Sequence, residues 1–396
     1  MRIAHIITRM ILGGAQENTL LNCRDLMREH GDDVLLVTGP ALGPEGSLMN
    51  EVRRVGIPHV QIDSLRRAIH PIHDWRAYRE IRTILKEFAP DVVHTHSAKG
   101  GILGRLAAHS LSVPAILHTV HGAPFYKHQS ALARACYRLC ETGVAKRCHA
   151  MISVADAMTD LMVDAGVAPR SKFTTVYSGM EVRRFQDRES ERATMRGELG
   201  YGPDDVVVGK IARLFDLKGH PFVIQAAQEV IAQCPSVRFL FVGDGTLRAQ
   251  YEQDIARLGL SHHFHFTGLV QPGQIPSLIA AMDVLVHASL REGLARALPQ
   301  ALLLERPVVS FDIHGANEVV LDEETGFLVE ACQVSDLAQR IIQLARDPYR
   351  REKMGRAGRR LCEKRFDHLH MTQQVRTLYQ QVLKARSDLF PPHTIR

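Results

Sequence analysis

The residues with the clearest chemical use are charged and stand where apolar runs end. In KIARLFDLKGH, Arg213 and Lys218 lie five residues apart just after a β-rich run. A planar guanidinium fork and a point charge so spaced can straddle a diphosphate and neutralise a leaving group as negative charge builds on it, or can simply be two solvated surface charges. In SLREGLARALPQALLLERPVVSFD, Glu292-Gly293 reads as a strand end that starts a helix. A carboxylate at that positive terminus can accept sugar hydroxyls, or merely complement the dipole. Gln300, eight residues on, is expected on the same helix and close to the same face. Near the start, RIAHII leads into TRMILGGAQENTLL, where Gly13-Gly14 opens a helix. Two glycines let backbone approach an anion, and the N–H groups that follow favour phosphate; a tight turn without a ligand is the alternative.

These positions need a scaffold, and the chain alternates short β-rich runs with helix-period stretches. The runs 2–7, 33–39, 59–63, 91–96, 115–122, 150–155 and 173–178 form a first series, and 206–212, 238–245, 264–270, 284–289, 307–312 and 327–330 a second. Between strands, Trp75, Tyr78, Ile81, Leu85 and Phe88 recur three or four apart, which predicts one buried face on a crossover helix. Strand, helix, strand in repetition means a parallel sheet in each series. The stretch 178–205 is rich in charge and glycine and lacks a strand pattern, so the domain boundary is expected there, giving domains 1–180 and 181–366. A last helix, 367–386, carries Leu369, Met371, Val375, Leu378, Tyr379, Val382 and Leu383 and needs an apolar surface, which the first domain would supply. Ligands in doubly wound sheets bind beyond the strand carboxyl ends, so the expected active site is a cleft between two such sets of ends.

Composition narrows the classes. At 396 residues, 45% hydrophobic and 23% charged, the chain exceeds one ordinary core and is too apolar to stay disordered. No stretch reaches the roughly 20 apolar residues of a membrane span and no cleavage site follows the N-terminal run, so the expectation is a cytoplasmic protein. Seven scattered cysteines do not read as a disulfide framework, and the cluster Cys136, Cys140, Cys148-His149 reads as a helix face rather than a metal site. The formal charge of +6 is concentrated early: residues 1–180 hold 21 Lys and Arg against 16 Asp and Glu, the remainder 28 against 27. Such an excess attracts nucleic acid, an anionic bilayer or an anionic substrate alike.

The ordered set of motifs resembles the retaining family 4 glycosyltransferases of the GT-B fold, over nearly the whole chain. The parts are Gly13-Gly14, the PDVVHTHSAKGGILGRLAA block from Pro90 to Ala108, HTVHG from His118 to Gly122, Arg213 and Lys218, Gly243-Asp244-Gly245, Phe266 to Gly268, and Glu292-Gly293. The resemblance implies two doubly wound Rossmann-like domains. The first would take a saccharide or lipid-linked acceptor, the second a nucleotide-diphosphate sugar, UDP-linked by expectation, in cell-surface glycan synthesis. It implies His121, Arg213, Lys218 and Glu292 as catalytic residues, and Gly13, Gly14, Gly243, Gly293, Leu294 and Gln300 as donor contacts. His94, His96, Ser97 and Lys99 are the implied acceptor contacts. The family usually has a second glutamate where this chain has Gln300, an acceptor without charge that can still meet ribose hydroxyls.

No Asp-x-Asp occurs, so no metal or other cofactor is expected, and positive side chains must meet the diphosphate. An NAD-dependent enzyme with two Rossmann domains fits the strand pattern but lacks GxGxxG after either first strand. An epimerase or phosphorylase of the same fold, and a donor-binding protein weakened at Gln300, are the nearer competitors. No recognition motif supports nucleic-acid binding, and aromatic residues are only 6%. In the basic first half, LRRAIHPIHDWRAYREIR and KHQSALARACYRLCETGVAKR mix Arg and Lys with apolar residues, which a lipid-linked acceptor would bring to an anionic membrane surface.

Overall fold

A computed structural model describes residues 1–43, 46–125, 129–186 and 188–389. The chain divides into two compact units, Met1–Met180 together with the segment from His368, and Glu181–Asp367. Each is built on one sheet whose pairings are all parallel.

The strands of the first unit are β1 (Arg2–Arg9), β2 (Asp33–Gly39), β3 (His59–Gln61), β4 (Val92–His96), β5 (Ala115–Val120), β6 (Ala150–Ser153) and β7 (Phe173–Thr175). Their spatial order is β3-β2-β1-β4-β5-β6-β7. In the second unit β8 (Val206–Ile211), β9 (Val237–Val242), β10 (Phe264–Phe266), β11 (Val284–His287), β12 (Val308–Phe311) and β13 (Gly326–Val329) lie in the order β10-β9-β8-β11-β12-β13. The central strands are buried on both faces because crossover helices cover both, and β1 is buried from Ile3 to Thr8. In both sheets the winding reverses beside the first strand, between β1 and β4 and between β8 and β11. These are the switch points at which open parallel sheets leave a crevice.

One reading of the sequence needs correction. The helix Pro71–Phe88 buries Ala77, Ile81 and Leu85, a strict i, i+4 stripe, whereas Trp75 stands 58% exposed. Two residues before Ala77, Trp75 is turned about 200° around the axis from that stripe. The stretch 178–205, read as lacking a strand pattern, forms a 3-10 turn, Val182–Phe185, and a helix, Glu189–Glu198. Arg192 and Arg196 tie that helix to Asp283 at 2.6 and 3.2 Å, and Arg196 also donates to the carbonyls of Gly202 and Asp205. The final helix, His368–Leu389, closes the first unit's core: Met371, Val375 and Tyr379 are buried against the apolar residues of β1, β2 and the helix Gly14–His30.

Candidate functional site

In the second unit the switch point is bounded by the loop after β8, residues 212–219, and the loop after β11, residues 288–296. The first loop is held from below by Gly243-Asp244-Gly245: Leu214 N–H donates to the Asp244 carbonyl at 3.0 Å and Leu247 N–H to the Leu214 carbonyl at 3.1 Å. A Cβ at Gly243 or Gly245 would stand 2.3 Å from the Ala212 or Leu214 carbonyl, so only glycine permits this contact. Gly219, at φ +71°, lies against Ala288 in the other loop, where a Cβ would fall 1.7 Å from the carbonyl oxygen. The two loops are therefore packed backbone to backbone.

Across that contact Lys218 Nζ donates to Glu292 Oε1 at 2.6 Å. Burial alone raises the Glu292 carboxyl; the Lys218 ammonium overrides it and, with hydrogen bonds from Lys218 and Ser289, holds the group down at about 2. His287 Nε2 is 3.7 Å from the same oxygen. Arg213 is exposed, its guanidinium over the Phe215 ring with a centroid distance of 5.2 Å. Beneath lies a group that sequence reasoning missed. Lys210, in β8, is fully buried, and its Nζ has no hydrogen-bond partner among the described residues. Burial, and secondarily Lys218, push its pKa down to about 7. Burial likewise brings His287 to about 3 and His220 to about 2.

Glu292 does not start a helix. The helix here is Ala297–Leu303, and Glu292 and the buried Gly293 and Leu294 belong to the loop before it. The expected single helix face shared with Gln300 is absent for that reason; Gln300 lies in the helix, half-buried, its N–H on the Arg296 carbonyl. Pro299 carried the missed signal, because proline is accepted only in a first helical turn and so puts the helix start near 297.

In the first unit the switch point gathers the end of β1, the start of the helix Gly14–His30, and the end of β4. Gly13 is extended at φ 173°, a conformation open to any residue, and its carbonyl accepts the Glu17 N–H at 3.0 Å to begin the helix at Gly14. Ser97, at φ 61°, precedes the helix Ala98–Ser110; its hydroxyl is 2.7 Å from Thr8 Oγ1, which also accepts the Gly100 N–H at 2.9 Å. Lys99 pairs with Asp74 Oδ1 at 2.5 Å.

The histidines form a chain. His121, just past β5, has Nε2 3.1 Å from His96 Nδ1, and His96 Nε2 is 3.0 Å from His5 Nδ1. His94 is 2.5 Å from the Tyr379 hydroxyl through Nδ1 and 2.7 Å from Thr119 Oγ1 through Nε2. Burial first, then neighbouring positive charge, the other histidines for His94 and His96 and Arg105 for His118, keeps these rings well below the ordinary histidine range, so they are neutral at pH 7. The expectation that His94 and His96 meet an acceptor directly is corrected. Both are 0% exposed with both ring nitrogens engaged within the protein, and only half-buried His121 reaches the surface. His5, His94 and His96 offer nitrogens within 4.8 Å of one another, a set that takes a divalent ion only by surrendering these hydrogen bonds. His5 escaped sequence reasoning because its tie to His96 and its register opposite His94 arise from the pairing of β1 with β4.

Known proteins resemble this chain in sequence and in fold. Residues 13–179 match the family described as Glycosyl transferase 4-like domain, and residues 191–361 match Glycosyl transferases group 1. The chain belongs to the group 1 glycosyl transferases. As a member it is an enzyme, a glycosyltransferase of the hexosyltransferase type. Among relatives of this glycosyltransferase is the UDP-Gal:alpha-D-GlcNAc-diphosphoundecaprenol alpha-1,3-galactosyltransferase of Escherichia coli, 27% identical over 88% of this chain and 88% of that protein. Another is the capsular polysaccharide biosynthesis glycosyltransferase CapM of Staphylococcus aureus, 23% identical over 81% and 84%. Of solved structures, Anabaena HepE in complex with UDP-glucose superimposes with a TM-score of 0.81 over 96% of this chain and 100% of that one, at 22% identity. The sucrose-phosphate synthase of Thermosynechococcus elongatus gives 0.79 over 97% and 100%, at 18%. The glycosyltransferase thus has the GT-B fold, two Rossmann-like α/β domains.

Proposed function

We propose that this glycosyltransferase retains configuration at the anomeric carbon while moving a sugar from a UDP-linked donor to a hydroxyl of a saccharide or lipid-linked acceptor, in the assembly of a cell-surface glycan. The observation that carries the reading is the second unit's switch point, where a lysine and a carboxylate from two backbone-packed loops meet at 2.6 Å. Arg213 and Lys218 take the diphosphate, and Glu292 with the Gly293 and Leu294 backbone takes the sugar hydroxyls. Gln300 accepts from the ribose, and Gly243 serves the donor by letting its backbone meet that of Ala212, which sets the loop carrying Arg213 and Lys218. Positive charge on the diphosphate stabilises the leaving oxygen as the anomeric bond breaks. The acceptor hydroxyl bonds to that carbon from the leaving-group side, and its proton passes to the departing diphosphate oxygen. His121 is the imidazole available to the transferred sugar, held by His96 behind it. Gly13, Gly14, Ser97 and Lys99 line the first unit's switch point, the place for donor phosphate and acceptor.

A lipid-linked acceptor is favoured by one more observation. The first unit exposes Ile69, Ile72 and Trp75 at 75, 59 and 58%, next in sequence to the exposed Arg66, Arg67 and Arg76. The second basic stretch exposes Leu132 and Leu139; Lys127 and His128, at its head, lie outside the described residues. Among the described residues no helix is long and apolar enough to cross a membrane. A panel of UDP-, GDP- and ADP-sugars screened for protection against thermal unfolding tests the donor, followed by NMR of the product anomer. Protection by UDP-sugars and a retained anomer are expected; protection by another nucleotide alone, or an inverted product, overturns the reading.

A further inference from the structure

Lys210 is a buried lysine whose Nζ has no hydrogen-bond partner among the described residues, set in a strand flanked by the two loops of the donor site. Its Nζ is unpartnered and its side chain fully enclosed, and the charged groups that bear on it are Lys218 and Glu292. The donor reading above, on which this inference rests, makes conflicting demands on those two. Lys218 must reach a diphosphate and Glu292 must meet sugar hydroxyls, yet they are bonded to each other at 2.6 Å. Drawing Lys218 away leaves a half-buried carboxylate, 20% exposed, without its cation, a costly state for a charge largely withdrawn from water.

We propose that Lys210 is a reserve cation, a positioning residue that takes up a proton when a nucleotide diphosphate draws Lys218 off Glu292, and so keeps that carboxylate paired and in place. Before the ligand arrives, burial first and the neighbouring Lys218 ammonium second keep Lys210 from holding its proton above about pH 7, while Lys218 neutralises Glu292. Afterwards Lys218 is matched by phosphate oxygens, and Glu292 together with the diphosphate adds negative charge around Lys210. The free amine then binds one proton from solvent to become an ammonium. The other titratable groups facing this pocket are His220, at the start of the helix His220–Gln233, and His287, at the end of β11; His314 also feels the Glu292 charge, together with that of Arg291. Burial holds His220 and His287 far lower than Lys210, so at neutral pH and above the lysine is the group that responds.

Calorimetry of UDP binding near pH 8, in buffers of different ionisation enthalpy, counts the proton. At that pH the terminal phosphate of UDP, with a second pKa of about 6, is already ionised and contributes none. The wild-type protein is expected to take up close to one proton per UDP, and less near pH 6, where Lys210 is already charged. Lys210→Met is expected to bind UDP more weakly with almost no uptake, while Lys210→Gln serves if the methionine packs poorly. UDP binding without proton uptake by the wild type near pH 8, or equal uptake by a folded Lys210 variant, overturns the proposal. Failure of UDP to bind at all instead overturns the donor reading, and this inference falls with it.

Discussion

At the scale of single residues, Lys218 and Glu292 form the pair on which the chemistry turns. Arg213→Ala and Lys218→Ala are each expected to cut turnover by about 100-fold, as for loss of one preorganised charge at a leaving group; the Arg213 variant should keep its unfolding transition, while the Lys218 variant, which strips Glu292 of its cation, stays folded with a lower one. Steady-state rates with saturating donor check this, and unchanged turnover in both variants removes them from the site. Lys210 carries a stability cost whose pH dependence has a definite sign. The unfolded lysine holds its proton up to about 10.5 and the folded one only to about 7, so between those values the unfolded chain binds more protons and stability rises with pH. The cost is complete below pH 7. Lys210→Met is thus expected to stabilise the fold by a few kcal/mol at most near pH 6, and by progressively less toward pH 10, measured as denaturant midpoints across pH. A gain independent of pH contradicts a charged lysine as its source.

At the scale of elements, the strands were readable because both faces of each central strand are covered, which writes them as unbroken apolar runs such as VVVG and FLFV. The same rule hid the loop at 288–296. Gly293, Leu294 and Ala295 are buried in irregular backbone, so their apolarity imitates a helix start. Lys210 was missed although its signal, a charge inside an apolar strand, stands in the sequence, whereas the histidine chain left none, because it depends on register between strands distant in sequence. Loop packing gives this scale its prediction. Gly219→Ala puts a methyl group 1.7 Å from the Ala288 carbonyl at a positive φ, so the two loops must part. A loss of about 1–3 kcal/mol is expected, together with weaker donor protection. A variant with wild-type denaturant midpoint means the loops tolerate separation.

At the scale of the whole molecule, the exposed Ile69, Ile72 and Trp75 beside Arg66 and Arg67 predict sedimentation with anionic vesicles at low salt. Each basic residue contributes about 1 kcal/mol, and the attraction fades as salt rises. Arg66→Glu with Arg67→Glu should abolish it; a wild-type protein that stays in the supernatant leaves the surface without a membrane role. The helix His368–Leu389 supports another prediction. Ending the chain at Asp367 uncovers the core that Met371, Val375 and Tyr379 close and frees a His94 nitrogen, so the first unit should become protease-sensitive while 181–367 stays resistant. Equal resistance of both units contradicts this. That return of the chain also dictates an order of manufacture. The ribosome completes 181–367, a contiguous unit, before it makes the helix that the earlier unit requires. The first 180 residues therefore wait during synthesis with an apolar groove open, a window in which a chaperone, or the wrong helix, can occupy the seat.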